Sequence, residues 1–462
     1  MTKESRYKIF IIVLTTISSY MTAFMGSAIN IALPLIGREL NLGAVFLSWL
    51  ATAYLLTAAV LLIPAGKLSD IYGRTKFLKI GIIVFSIGTI FCGFSNSGMM
   101  LLVFRSLQGI GSSMIFTTST AILVSVFPSN ERGKVIGINT TAVYVGLSSG
   151  PFIGGLITHY LDWRYIFYLT FILGIIATIL LWFYLKTEWR EAKDESFDFK
   201  GSVIYVLSLT AMMLGLTFLP AIHGIALLLF GAMMLYSFYR LEKEKMHPLF
   251  NVNVFRSNRT FVYSNLAALI NYSATFAISF IMSMYLQNVK GLSSQDAGII
   301  LVTQPVMMAL FSPLSGRLSD KIEPQIVSSI GMGLLTIGLI IFTFLNQSFS
   351  SALIVANLAL IGFGFALFSS PNSNAVMGSV DKKYYGVASS TLSSMRMVGQ
   401  MFSMGIVIVI IALFLGKAGI TIENQENFIA AVKLVFLIFS ILCFVGIFAS
   451  LSRGKIHKKN IL

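Results

Sequence analysis

The sequence predicts an all-α polytopic membrane protein of fourteen spans, arranged as two similar six-helix bundles with two extra helices between them. Three observations lead there. First, 56% of the 462 residues are apolar and only 11% charged, whereas soluble domains carry about 25% charged residues. Second, the charges that exist are separated by uncharged stretches long enough to cross a bilayer, which takes about 20 helical residues. Third, a short pattern beginning at Gly66 returns about 250 residues later.

Each span follows from these stretches, because a chain in hydrocarbon must satisfy its backbone polar groups internally. Ile9 to Gly37 and Leu40 to Gly66 form the first two, and further spans centre near residues 87, 110 and 146. Tyr165 to Leu185 is the sixth. Gly201 to Tyr239 is of double length and breaks at Pro220 to His223, giving spans centred near 209 and 231. After a ninth near residue 273, Ala297 to Gly316 supplies the tenth. The run from Pro324 to Val380 would reach about 85 Å as one helix, so it divides at Asn346 to Ser351 into spans near 335 and 365. The last two centre near 400 and 440. The first span is too long for a cleavable signal peptide and is expected to persist.

An even number of spans places both termini on one side, and basic residues select it. Of the 33 Lys and Arg, 26 fall in the termini and in the loops on their side, while Arg38, Arg164, Lys290, Lys417 and Lys433 lie on the other. The positive-inside rule then puts both termini in the cytoplasm of a cell-membrane protein. The formal charge of +15 is thus a topology signal, and nucleic acid is not an expected partner. Only Arg105 and Arg396 lie inside spans. Cys92 and Cys443 sit in apolar runs, so no disulfide framework is indicated.

The repeat sets the domain plan. Gly66-Lys67-Leu68-Ser69-Asp70 after span 2 matches Gly316-Arg317-Leu318-Ser319-Asp320 after span 10. Gly137 and Gly150 return as Gly386 and Gly399 at nearly the same offset. Spans 1 to 6 therefore correspond to spans 9 to 14. The chain divides into an N-terminal bundle (1–186), a central linker with two spans (187–245) and a C-terminal bundle with a short tail (246–462). Two similar halves suggest a substrate site near the midplane between them.

Gly66-Lys67-Leu68-Ser69-Asp70-Ile71-Tyr72-Gly73-Arg74 offers a tight turn and charges that can exchange partners. In span 5, Gly146, Gly150 and Gly154 share one helical face, with Pro151 beside them to kink the helix and Gly155 following. Arg105 opens Arg105-Ser106-Leu107-Gln108-Gly109-Ile110-Gly111, and an ionisable residue within a span is a functional candidate by default. Together these motifs resemble the major facilitator superfamily, specifically its fourteen-span drug/proton antiporter branch, over essentially the whole length. The resemblance implies a conformational switch and proton coupling at Lys67, Asp70, Arg74, Arg105 and Asp320, and a gated contact between the halves at the span 5 glycines. Arg396-Met397-Val398-Gly399 is similar to an Arg-x-x-Gly segment of the family, and the stretch from His247 to Phe261 resembles the amphipathic linker of the longer branch, expected along the membrane surface.

One departure matters. The branch usually carries an acid in span 1; here Asn30, Ala32, Leu33, Pro34 and Ile36 fit the pattern but Met25 occupies the acidic position. None of the 18 Asp and Glu falls deep in a predicted span. Three explanations stay open: a proton loads near a span end at Asp70, Asp296 or Asp320; the substrate is neutral or anionic and is held by Arg105 and Arg396; or transport is slow and facilitated. Met25, Asn30, Gln304, Asn372, Asn374 and Arg396 are candidate cavity residues. The expected function is proton-coupled efflux of hydrophobic, drug-like small molecules by alternating access, performed by a monomer in the lipid bilayer. A carrier of an anionic or neutral metabolite and a membrane sensor are the alternatives. No cofactor or metal is implied: no His-Glu-x-x-His site and no phosphate-binding Gly-Lys-Ser/Thr loop is present, which argues against an enzyme.

Overall fold

The computed structural model describes residues 3–185, 187–245, 248–249, 258–380, 385–416, 420–421 and 423–454. Among them are 14 helices long and apolar enough to cross a membrane. The N-terminal half holds span 1 (Arg6–Glu39), span 2 (Ala44–Tyr72), span 3 (Arg74–Gly93), span 4 (Gly98–Val126), span 5 (Val135–Tyr160) and span 6 (Arg164–Tyr184). Span 7 (Phe199–Thr217) and span 8 (Ile222–Glu244) follow. The C-terminal half holds span 9 (Arg259–Asn288), span 10 (Ser294–Ser319), span 11 (Pro324–Phe342), span 12 (Ser351–Gly378), span 13 (Thr391–Leu415) and span 14 (Gln425–Leu451). Every expected centre falls inside one of these ranges. The segment from His247 to Phe261 lies largely outside the described residues.

Local chemistry explains many of the helix starts. Ser97, Asp198, Asn258 and Ser293 each accept a hydrogen bond from an amide near the N-terminus of the following helix, at 3.3, 2.9, 3.0 and 3.1 Å. These side chains satisfy donors that have no partner within the helix. Span 11 instead begins with Pro324, whose missing N–H would have been unbonded there anyway.

Two spans are interrupted: span 9 where the sequence gives no breaking signal, and span 10 just before Pro305, which has no N–H to bond to the Leu301 carbonyl. Span 9 consists of helices Arg259–Thr275 and Ile278–Asn288, and span 10 of Ser294–Leu301 and Thr303–Lys321. At the first break the Ala277 N–H donates to Ser403 Oγ of span 13 at 3.1 Å. A neighbouring helix thus replaces the lost intrahelical bond, as a water-free environment requires.

The repeat is visible in the packing. Span 1 packs on 5 and 6, span 3 on 4 and 6, and span 2 on 4; the equivalent pairs 9 with 13 and 14, 11 with 12 and 14, and 10 with 12 recur in the other half. Polar detail repeats as well. Ser69 Oγ donates to Gly66 O at 2.8 Å and Ser319 Oγ to Gly316 O at 2.7 Å. Gln108 Nε2 donates to Thr89 Oγ1 at 2.7 Å, and Asn357 Nδ2 donates to Gly338 O at 2.9 Å, both across 19 residues. Spans 7 and 8 pack on each other, and Leu209 and Met213 of span 7 join Leu56 and Val60 of span 2 and Met401 and Ile408 of span 13.

Span 5 approaches span 1 at backbone distance. A Cβ placed on Gly146 would stand 2.7 Å from Tyr20 O and 3.0 Å from Phe24 N, and one on Gly150 would collide with Ser27 Oγ. Gly146→Leu is therefore expected to cost about 1–3 kcal/mol, the usual penalty of overpacking. A lowered thermal unfolding midpoint in detergent would report it; an unchanged midpoint would contradict the close approach.

Candidate functional site

The motif expected after span 2 instead forms its last helical turns through Tyr72, with the turn at Gly73, and is held by the connection between spans 6 and 7. Arg74 Nε donates to Asp70 Oδ1 at 2.7 Å, its Nη1 donates to Ser125 Oγ at 2.6 Å, and it lies 3.6 Å from Glu191. Lys67 pairs with Glu195. Glu188 accepts from the Thr75 and Lys76 amides at 2.8 and 3.1 Å, closing the N-terminus of span 3, where a carboxylate also meets the positive end of the helix dipole. Backbone bonds from the Arg74 N–H to Trp189 O and from the Ala192 N–H to Asp70 O complete the attachment. Residues 187–195 therefore form an acidic strap across the basic motif. Asp320, the second-half counterpart of Asp70, has its side chain outside the described residues.

Arg105 lies wholly inside the N-terminal half, 1% exposed. Its Nε donates to Leu50 O at 3.1 Å, its Nη1 to Gln108 Oε1 at 2.6 Å, and its guanidinium stands 4.5 Å from the Tyr54 ring centroid. Tyr54 in turn donates to Thr22 O at 3.1 Å and meets Ser112 Oγ at 2.8 Å. Neutral acceptors on spans 2 and 4 and an aromatic face on span 2 thus meet this charge.

Arg396 is placed differently. It is half-buried, about 17 Å along its helix from Tyr385. Its Nη2 donates to Ser373 Oγ at 2.7 Å, Ser373 Oγ donates to Ser369 O at 2.8 Å, and Ser369 Oγ meets Tyr144 OH of the other half at 3.0 Å. The Tyr272 ring lies 5.6 Å from the guanidinium and packs edge-on against Phe365 at 5.3 Å. Arg396 Nε and Asn372 Oδ1 are buried with no hydrogen-bond partner among the described residues. Motif reading alone missed Tyr144, Tyr272, Ser369 and Ser373, since single hydroxyls in apolar helices carry no pattern.

The other candidates scatter. Met25 is fully buried and Asn30 nearly so. Asn374 donates to Ser319 Oγ at 2.7 Å, tying span 12 to span 10, and the Gln304 carbonyl stands against Gly362. Asp296 is exposed and accepts from Ser293 at 2.7 Å.

The span 5 glycines divide between two tasks. Gly146, Gly150 and Gly154 face span 1 of the same half, whereas Gly155 and Pro151 face span 10 of the other, with a Cβ on Gly155 falling 2.6 Å from Ser294 O and one on Gly298 colliding with Pro151 O. Nearby, Ser283 Oγ donates to Asn30 O at 2.8 Å, Gln287 Nε2 to Ile31 O at 3.0 Å, and Arg38 Nη2 to Asn288 Oδ1 at 3.3 Å. These contacts join the halves toward the face remote from the termini.

Paired six-helix halves, joined at one end and carrying a polar cluster between them, define a multi-spanning membrane carrier. Residues 12–251 and 265–460 match the Major Facilitator Superfamily, and the chain belongs to that superfamily of transporters. It is 30% identical to the riboflavin transporter RibZ of Clostridioides difficile over 85% of each chain. It is 27% identical to the multidrug resistance protein Stp of Mycobacterium tuberculosis, covering 89% of this chain and 77% of that one. The multidrug transporter MdtP of Bacillus subtilis is 30% identical over 84% of this chain and 72% of its own. Among solved structures, a bacterial homologue of the human lysosomal transporter Spinster superposes with a TM-score of 0.70 at 16% identity, covering 97% of both chains.

Replacing Arg105 with Ala strands Gln108 Oε1 in a dry interior, at about 1–3 kcal/mol, while the Leu50 carbonyl keeps its intrahelical bond. The unfolding midpoint of Arg105→Ala in detergent is expected to fall well below that of the parent. A midpoint equal to the parent's would contradict a packed, hydrogen-bonded Arg105.

Proposed function

We propose that this chain exports hydrophobic, drug-like small molecules by alternating access, driven by protons, from a cell membrane in which both termini are cytoplasmic. The observation that carries the reading is the arrangement of the halves: they meet backbone to backbone near Gly155 and Ser294, while the half-buried Arg396 cluster lies between them near mid-helix. In this reading the structure is closed on the outer face. Opening that face separates Pro151 and Gly155 from span 10, and the charged junction of spans 2 and 3 at Lys67, Asp70 and Arg74 exchanges partners as the halves rock. Asp320 plays the corresponding part in the second half, and Arg105 fixes spans 2 to 4 as one body through which coupling passes. The bundles 1–186 and 246–462 are the moving units, and the linker 187–245 holds the acidic strap and two flanking spans. One chain suffices for the cycle. The names of Stp and MdtP support a drug-like substrate, and the excess of Lys and Arg on the terminal side supports the orientation.

A second reading has its own support. Neither Arg105 nor Arg396 has an acidic partner among the described residues, and a buried carboxylate is what a cationic drug would use. A neutral or anionic metabolite suits such a site better, as the name of the RibZ relative suggests.

Proteoliposomes containing the pure protein decide between coupled and uncoupled transport. A lipophilic fluorescent probe is expected to move when a pH gradient is imposed, with flux falling at least about tenfold when pH and electrical gradients are collapsed. Flux unchanged by their collapse would contradict proton antiport and leave facilitated transport.

A further inference from the structure

The two embedded arginines differ in what they leave unsatisfied. Arg105 is enclosed, with acceptors and a ring around it. Arg396 has one hydroxyl partner, a buried Nε without an acceptor, and no acidic neighbour among the described residues. Half-buried within a span, a guanidinium in that state is costly unless an anion completes it. Asn372, whose Oδ1 is also unpartnered, lies one residue from Ser373 on span 12. The Tyr272 and Phe365 rings add an aromatic wall.

We propose that Arg396 recognises an anionic group of two oxygens, a carboxylate or delocalised enolate, carried on an aromatic substrate that lies against Tyr272. This deepens the transport reading above and rests on it. A planar guanidinium presents paired donors that match two oxygens, and its single bond to Ser373 leaves donors for them. Arg396 and Ser373 tie span 13 to span 12 within the C-terminal half, and one turn away the Ser369 hydroxyl meets Tyr144 of the N-terminal half. An anion that draws the guanidinium away from Ser373 therefore loosens the tie between spans 12 and 13 beside that contact.

The test uses two dyes that share a xanthene core, fluorescein as the anion and rhodamine 6G as the cation. Binding to the full chain in nanodiscs is followed by fluorescence anisotropy, and flux of each dye by proteoliposome assay. The parent protein is expected to bind fluorescein at least about tenfold more tightly than rhodamine 6G, the size expected for one charge-assisted contact. Arg396→Gln should lose about that factor for fluorescein and leave rhodamine 6G affinity within about twofold, while Arg396→Lys, which keeps charge but not the fork, should lie between. Tighter binding of rhodamine 6G by the parent, or unchanged fluorescein affinity in Arg396→Gln, overturns the proposal while gradient-driven dye flux still supports the transport reading. Equal weakening of both dyes in Arg396→Gln overturns it too, because that is the signature of a packing role. Absence of flux for both dyes under every gradient overturns the transport reading and this proposal with it.

Discussion

A hydrocarbon layer offers no water, so every polar atom within it must find a partner in the protein. In this chain the constraint first produces helices, whose backbone groups bond internally. It then governs the exceptions. Where span 9 breaks, Ser403 takes the free Ala277 amide. Where Arg105 enters the N-terminal half, Leu50, Gln108 and the Tyr54 ring receive it. The serine and threonine hydroxyls mostly return to carbonyls one turn back, as Ser18 does to Leu14 at 2.8 Å. Arg396 Nε and Asn372 Oδ1 are among the buried side-chain atoms left without a partner in the described residues.

The two halves share one packing plan, and the places that depart from it carry the polar chemistry. The Gln108 to Thr89 link and the Asn357 to Gly338 link occupy equivalent positions. By the same register Arg105 corresponds to Ile354 and Arg396 to Leu147. Arg105 and Arg396 thus occupy different places in their halves: the first is enclosed within its bundle, and the second lies near the Ser369 contact with Tyr144 of the other half. Duplication explains the scaffold, and these departures give the halves distinct tasks.

Much of this was legible in the sequence because it rests on composition and spacing. Charge-free stretches mark all fourteen spans, and the Gly66-Lys67-Leu68-Ser69-Asp70 repeat sets the register that packing follows. The helix break at Phe276 to Ala277 was not legible, since it contains neither glycine nor proline and its amide is met by Ser403 of another helix, whereas the break at Val302 has its cue in Pro305, which cannot bond to the Leu301 carbonyl. Nor was the division of labour in span 5, because Gly150 and Gly155 look alike until their partners, Ser27 and Ser294, are in place. The acidic strap was equally hidden: Glu188, Glu191 and Glu195 read as loop charges until the fold brings them to Thr75, Arg74 and Lys67. Long-range pairing leaves no local trace.

In the alternating-access reading proposed above, the strap and the remote-face contacts belong to one of two conformations. In it the motif at the junction of spans 2 and 3 is engaged with residues 187–195 of its own side, and the halves touch near Gly155 and Ser294. Both native cysteines, Cys92 and Cys443, are buried, so surface cysteines can be labelled selectively. Spin-label distances between Tyr160→Cys and Asp296→Cys on the remote face, and between Glu131→Cys and Lys321→Cys on the terminal face, report the central claim directly. On adding a transported probe and shifting the pH, the account predicts that the first distance lengthens while the second shortens. Two distances that stay fixed, or that change in the same direction, would contradict alternating access.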